Sequence, residues 1–161
     1  MGADYIDYIV SDQTVIPQEL SGFYSEKQLI MPHCYLVSDH LQSSPIDSTD
    51  ATPPTRAQYG ISDDKFVFCN FNQLYKIDPS IFDVWMNLLK RVKNSVLWLL
   101  RFPPAGELYI LREARKRGVR EDQIVFSDVV NKAEHIKRGF LADLFLDTAV
   151  YNAHSTAFDI L

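Results

Sequence analysis

The chain has 161 residues, enough for a domain with a real core, and its 47% hydrophobic and 23% charged residues exclude disorder as the default state. A net charge of −5 offers no general attraction for nucleic acid or an anionic membrane, so neither is expected as a partner. Cys34 and Cys69 are far apart and form no CxxC, which argues against a disulfide framework or a zinc knuckle.

The first residues, Met1-Gly2-Ala3-Asp4-Tyr5-Ile6, carry neither the positive region nor the apolar core of a signal peptide. Ile6 stands where a myristoylation signal wants Ser or Thr. No apolar run approaches the ~20 residues that span a bilayer, and there is no Asn-x-Ser/Thr acceptor. A reducing location, nucleus or cytoplasm, is the expectation.

Asp4–Asp12 has a strand-like apolar centre, Tyr8-Ile9-Val10. Pro17–Lys27 reads as a helix with Pro in its first turn, followed by Glu19, Phe23 and Tyr24. Met31–Val37 reads as a short strand or an extended crossing. From Leu41 to Ala57 the composition turns to Ser, Thr, Asp and Pro, including Pro53-Pro54, and periodicity is lost. The expected division is therefore residues 1–40, a linker over 41–57, and a second domain over 58–161.

In the second region, Phe66–Phe71 is a continuous apolar run, as expected for a strand buried on both faces. Asp78-Pro79 opens a helix as N-cap and first residue, with Ile81, Val84, Trp85, Leu88 and Leu89 as its core stripe. Ser95–Leu100 is a second buried strand, and Gly106–Arg117 a helix closed by Gly118. Gln123–Phe126 is a third strand, Lys132–Leu141 a short helix, Asp143–Asp147 a fourth strand and His154–Leu161 the start of another helix. Such alternation implies an α/β fold, a doubly wound, Rossmann-like parallel sheet with right-handed crossovers. The last helix stops in mid-pattern and Met1–Asp39 reads as the tail of an earlier domain, so the sheet is expected to be truncated at both ends.

Ligands of such sheets bind where strands run into helices, here at Asn72–Asp78, Arg101–Ala105, Ser127–Asn131 and Thr148–Ala153. Lys76 lies in the first loop, a point charge near the N–H groups of a helix start and suited to phosphate; a solvated loop lysine is the alternative. Lys132, His135 and Arg138 recur at i, i+3, i+6, a drifting helical face that could present two cations and a flat ring to a nucleoside, or simply a basic exposed surface. His154, Ser155 and Thr156 open the last helix and would either cap it or hold an anion there; Asp159 follows one turn inside. No GxGxxG, Walker, G-x-S-x-G or HExxH pattern is present.

The runs CNFNQLYKIDPS (Cys69–Ser80), LLKRVKNSVLWLLRFP (Leu88–Pro103), EHIKRGFLAD (Glu134–Asp143) and LDTAVYNAHSTAFDIL (Leu146–Leu161) resemble the C-terminal catalytic lobe of the O-GlcNAc transferases. These are the UDP-N-acetylglucosamine–peptide N-acetylglucosaminyltransferases of nucleus and cytoplasm. DYIDYIVSDQ…YSEKQLIMPHCYLVSDH resembles the end of the same family's N-terminal lobe. The resemblance implies a GT-B glycosyltransferase that transfers GlcNAc from UDP-GlcNAc to Ser or Thr of acceptor proteins, inverting and without a metal, no cofactor being needed beyond the donor. Residue by residue it implies Gln73 and Lys76 on the diphosphate, with Lys76 stabilising the departing UDP. Backbone at Val130 and the Arg138 side chain would read uracil, His135 would stack on it, and Lys132 would reach the ribose region. His154, Ser155 and Thr156 would hold phosphate, with Asp159 on the ribose side.

Several positions depart from the family pattern. His154-Ser155-Thr156-Ala157 stands where His-Thr-Thr-Gly is usual, Val130-Asn131 where Ala-Pro is common, and Tyr151 replaces a usual Cys. The short linker resembles the plant or protist type rather than the animal type, and the TPR repeats of full-length members are absent. Two alternatives accompany the resemblance. One is the SPINDLY type, an O-fucosyltransferase using GDP-fucose, whose loop lacks the Gln73 and Tyr75 pairing and the LWLLRFP run. The other is a non-catalytic nucleotide-binding or regulatory fragment.

Overall fold

A computed structural model describes residues 2–39 and 53–160. The chain divides into two units, Met1–Asp39 and His40–Leu161.

In the first unit, β1 (Tyr8–Asp12) pairs in parallel with β2 (Lys27–Met31), from Tyr8↔Lys27 to Asp12↔Met31. Between them Gln18–Phe23 forms a 3-10 turn, not the helix expected over Pro17–Lys27. None of its residues is buried, so no apolar stripe drives a longer helix, and Gly22 weakens one further. Of the strand or extended crossing expected over Met31–Val37, only Met31 is in a strand, because Pro32 has no N–H to extend a ladder. Asp12 ends β1 and accepts from Thr14 N, Val15 N and Tyr35 N, each at 2.9 Å. The N–H of Tyr35, above all, holds its carboxyl below the usual range.

The second unit is built on four parallel strands, β3 (Phe66–Asn70), β4 (Ser95–Leu100), β5 (Ile124–Ser127) and β6 (Leu144–Phe145), in the order β5-β4-β3-β6. The crossovers carry α1 (Pro79–Arg91), α2 (Gly106–Lys116) and α3 (Lys132–Gly139), and α4 (Ser155–Ile160) follows β6. Alternate strand residues feed two cores. Phe68, Leu97 and Leu99 pack with Phe82, Trp85, Met86 and Leu89 of α1 and Ala114 of α2. Val67, Cys69, Val96 and Trp98 face the other way, toward Ile61, Phe71, Leu141 and Ile160. Helical and loop elements thus cover both faces, as a doubly wound sheet requires.

Asp78 caps α1, its Oδ1 accepting from Ser80 N at 2.9 Å and Ile81 N at 3.1 Å. The buried stripe of α1 is rotated from the expected one. Val84 is 52% exposed, and Phe82 and Met86 take the inner positions. Gly118, at φ +77°, closes α2 in the left-handed region glycine favours. The fourth strand is shorter than expected because Asp143 acts as a side-chain acceptor instead. It takes Val67 N at 2.7 Å and pairs with Arg56 at 2.9 Å.

Of the Leu41–Ala57 stretch, residues 41–52 lie outside the described residues. Its end is folded: Arg56–Tyr59 is a 3-10 turn, and Arg56 also donates to the carbonyls of Leu141 and Lys65 at 2.9 and 2.8 Å.

The strand order places the chemistry. The chain moves from β3 through β4 to β5, then returns to lay β6 on the opposite side of β3. The loops leaving β3 and β6 therefore diverge at adjacent carboxyl ends, the crevice where parallel α/β sheets take ligands.

Candidate functional site at the carboxyl ends of β3 and β6

A ladder of buried polar side chains stitches the two loops together. Asn70 donates to Leu146 O at 2.6 Å, and Asn72 donates to Thr148 Oγ1 at 3.4 Å. Asn70, Asn72 and Thr148 are at most 2% exposed, so unpaired polar groups there would be costly. Asp147 shapes the loop beyond. Its Oδ1 accepts from Thr148 N at 2.7 Å and Ala153 N at 2.8 Å, and its Oδ2 from Asn152 Nδ2 at 3.2 Å. Thr148 Oγ1 then donates to Tyr151 O at 2.6 Å.

Lys76 bridges this crevice. It lies in the 3-10 turn Leu74–Lys76, and its Nζ donates to Asn72 Oδ1 at 3.4 Å and to Asn152 O at 3.3 Å. The same nitrogen sits 4.2 Å from the centroid of the Tyr151 ring. The Tyr75 and His154 rings each lie 6.4 Å from Tyr151. The turn itself is anchored to the neighbouring loop through Leu74 N to Phe102 O at 2.8 Å.

A second cluster surrounds Arg138 on α3. The guanidinium is 1% exposed and stacks over Phe71 at 4.6 Å. Its Nη1 donates to Asp128 O at 2.8 Å and Ser127 Oγ at 3.2 Å, and its Nη2 lies 2.9 Å from His135 Nδ1. An arginine only donates, so His135 Nδ1 accepts and the ring proton sits on Nε2. Burial, and then the Arg138 charge, lowers the His135 pKa and keeps the ring neutral, with Asp159 pulling the other way. Trp98 Nε1 donates to Ser127 Oγ at 3.1 Å and supports the cluster from the sheet. Asn131 caps α3, accepting from Glu134 N at 3.0 Å.

The expected residues thus fall into two groups. Lys76 and the loop leading to His154 meet across the crevice, while His135 and Arg138 meet on α3 with Asp159 acting on His135. Gln73, Lys132 and Ser155 are exposed, and Val130, Thr156 and Asp159 are half-buried. Arg138 differs from the simple expectation of a base-reading side chain, for its terminal nitrogens are engaged within the chain. Asn70, Asn72, Asp147 and Thr148 are the organising residues that motif reading passes over. Their signal in the sequence is polar side chains at the very ends of apolar strands. Among the described residues, no group of three or more His, Cys, Asp or Glu side chains is placed to hold a metal ion.

The model of glycosyl transferase family 41 matches residues 1–52 and 44–161. The chain belongs to this family. It is 51% identical over 160 residues to the probable UDP-N-acetylglucosamine–peptide N-acetylglucosaminyltransferase SEC of Arabidopsis thaliana, covering 99% of this chain and 16% of the relative. It is 55% identical over 107 residues to the UDP-N-acetylglucosamine–peptide N-acetylglucosaminyltransferase of Caenorhabditis elegans, covering 66% of this chain and 9% of the relative. The match to a SPINDLY relative from Eustoma exaltatum is far lower, 26% over 166 residues. Among solved structures, an O-GlcNAc transferase mutant from Thermobaculum terrenum shares the fold at a TM-score of 0.76 and 22% identity, over 96% of this chain and 28% of that one. The expected fold, a Rossmann-like α/β unit of the GT-B type, therefore stands. This family 41 chain spans a small part of the length of its curated relatives.

Proposed function

We propose that this chain forms the UDP-sugar-binding part of a protein O-GlcNAc transferase. In the complete enzyme it would serve transfer of GlcNAc from UDP-GlcNAc to Ser or Thr hydroxyls of acceptor proteins in nucleus and cytoplasm, with inversion and without a metal. The observation that carries this reading is Lys76, whose ammonium bridges the β3 and β6 loops at the sheet's switch point.

Breaking the sugar–phosphate bond leaves negative charge on UDP. A fixed ammonium and oriented N–H donors stabilise that charge without reorganising during the reaction. Lys76 takes this role, with Gln73 beside it on the diphosphate. His154, Ser155 and Thr156 supply the hydroxyls and N–H groups on the opposite loop. His135, neutral and protonated on Nε2, offers a flat face to uracil, and backbone at Val130 reads the base edge. We place Arg138 behind the base, where it fixes His135 and the Asp128 carbonyl. Lys132 and Asp159 serve the ribose side. The higher identity to the Arabidopsis SEC and Caenorhabditis relatives, 51% and 55%, than to the SPINDLY relative, 26%, supports this donor over the SPINDLY alternative.

Thermal melting of the 161-residue chain tests the donor. UDP and UDP-GlcNAc should stabilise it, by about 2.7 kcal/mol at a hundredfold excess over Kd, and GDP-fucose should not. Stabilisation by GDP-fucose alone would point to the SPINDLY chemistry. No shift at millimolar UDP overturns the nucleotide site.

A further inference from the structure

We propose that Tyr151 is a positioning residue for Lys76, its ring holding the ammonium in place for phosphate. The inference rests on the reading of Lys76 as a phosphate ligand and adds a residue that reading does not use.

A lysine on a four-carbon stem keeps its charge in place only if its partners fix it. The two oxygens that Lys76 Nζ meets lie at 3.3 and 3.4 Å, longer than the ~2.8 Å of a strong charge-assisted bond. The Tyr151 ring, at 4.2 Å from Nζ to its centroid, is well inside cation–π range. Its backbone is held in turn, since Tyr151 O accepts from the buried Thr148 hydroxyl at 2.6 Å.

All three partners are neutral: an amide oxygen, a peptide oxygen and a ring face. A carboxylate partner would fix the lysine equally well but cancel the charge a phosphate needs. The aromatic face orients the ammonium and leaves its charge whole. Less side-chain ordering then accompanies anion binding, which is the advantage of a preorganised site.

Calorimetric titration of the 161-residue chain with UDP, and with uridine as the phosphate-free control, tests this. Tyr151→Phe keeps the ring and should stay within about twofold of the parent, whereas Tyr151→Leu should weaken UDP about three- to tenfold. Uridine affinity should be unchanged in both variants. In a Lys76→Ala background, Tyr151→Leu should add nothing. Parent-like UDP affinity in Tyr151→Leu, or an equal loss for UDP and uridine, overturns the proposal while leaving the nucleotide reading intact. If Lys76→Ala itself leaves UDP affinity unchanged, that reading of Lys76 falls, and this one with it.

Discussion

Lys76 and Asp147 divide the work at the crevice. One carries charge into the crevice, and the other holds the loop that the charge leans on. Asp147 takes three donors, Thr148 N, Ala153 N and Asn152 Nδ2. Removing such an acceptor strands partly buried N–H groups, so Asp147→Ala should cost about 1–3 kcal/mol of stability. Asp147→Asn, which retains one carbonyl oxygen, should fall between that variant and the parent in a denaturant titration. Equal midpoints for all three would remove Asp147 as the organiser of the loop. Lys76 and His154 stood out in the sequence because each lies where a strand runs into a helix, the place where such sheets take ligands. Asn70, Asn72 and Thr148 were not, because their role depends on partners 76 residues away across β3 and β6. Spacing along a chain does not report which strand lies beside which.

At the scale of elements, α3 joins a buried cation to a neutral ring. The His135 pKa is lowered in the fold, burial being the larger cause. The unfolded chain, with histidine near its ordinary value of about 6.5, therefore takes up the proton more readily. The stability tied to the neutral ring is complete above that pH and is lost as pH falls from it toward the lower folded value. His135→Gln should then melt below the parent at pH 7.5, and the gap should narrow at pH 5.5. A gap that is constant across that range would contradict the neutral, buried state. The strands of the second unit were legible to within a few residues because an apolar run between turns leaves little choice. The stripe of α1 was legible in period but not in phase. Val84 and Phe82 both fit a helical repeat, and only packing against Phe68, Leu97 and Leu99 selects Phe82. Gln18–Phe23 misled for the opposite reason. Helix-like residues there bury nothing, and a six-residue 3-10 turn suffices to bring β2 beside β1.

At the scale of the whole molecule, the order β5-β4-β3-β6 brings together the two loops to which we assign phosphate binding. The parallel α/β sheet agrees with what alternating strands and helices implied, and family 41 membership and the shared GT-B-type fold agree with what the resemblance implied. The proposed donor was not legible from periodicity, since many doubly wound sheets bind different molecules at the same crevice. It came from long runs such as Cys69–Ser80 and Leu146–Leu161. The departures within those runs are Tyr151, which meets Lys76 in the β6 loop, and Ser155 and Ala157 in α4.

The role proposed for Lys76, stabilising charge on departing UDP, is read out by turnover. The matching segment of the Arabidopsis relative, 51% identical over 160 residues, would be replaced by this chain, and transfer of GlcNAc to a peptide measured with and without Lys76→Ala. In the Lys76→Ala enzyme kcat should fall about 100- to 1,000-fold while the melting temperature stays at the parent value. Near-normal turnover in the Lys76→Ala enzyme would contradict it.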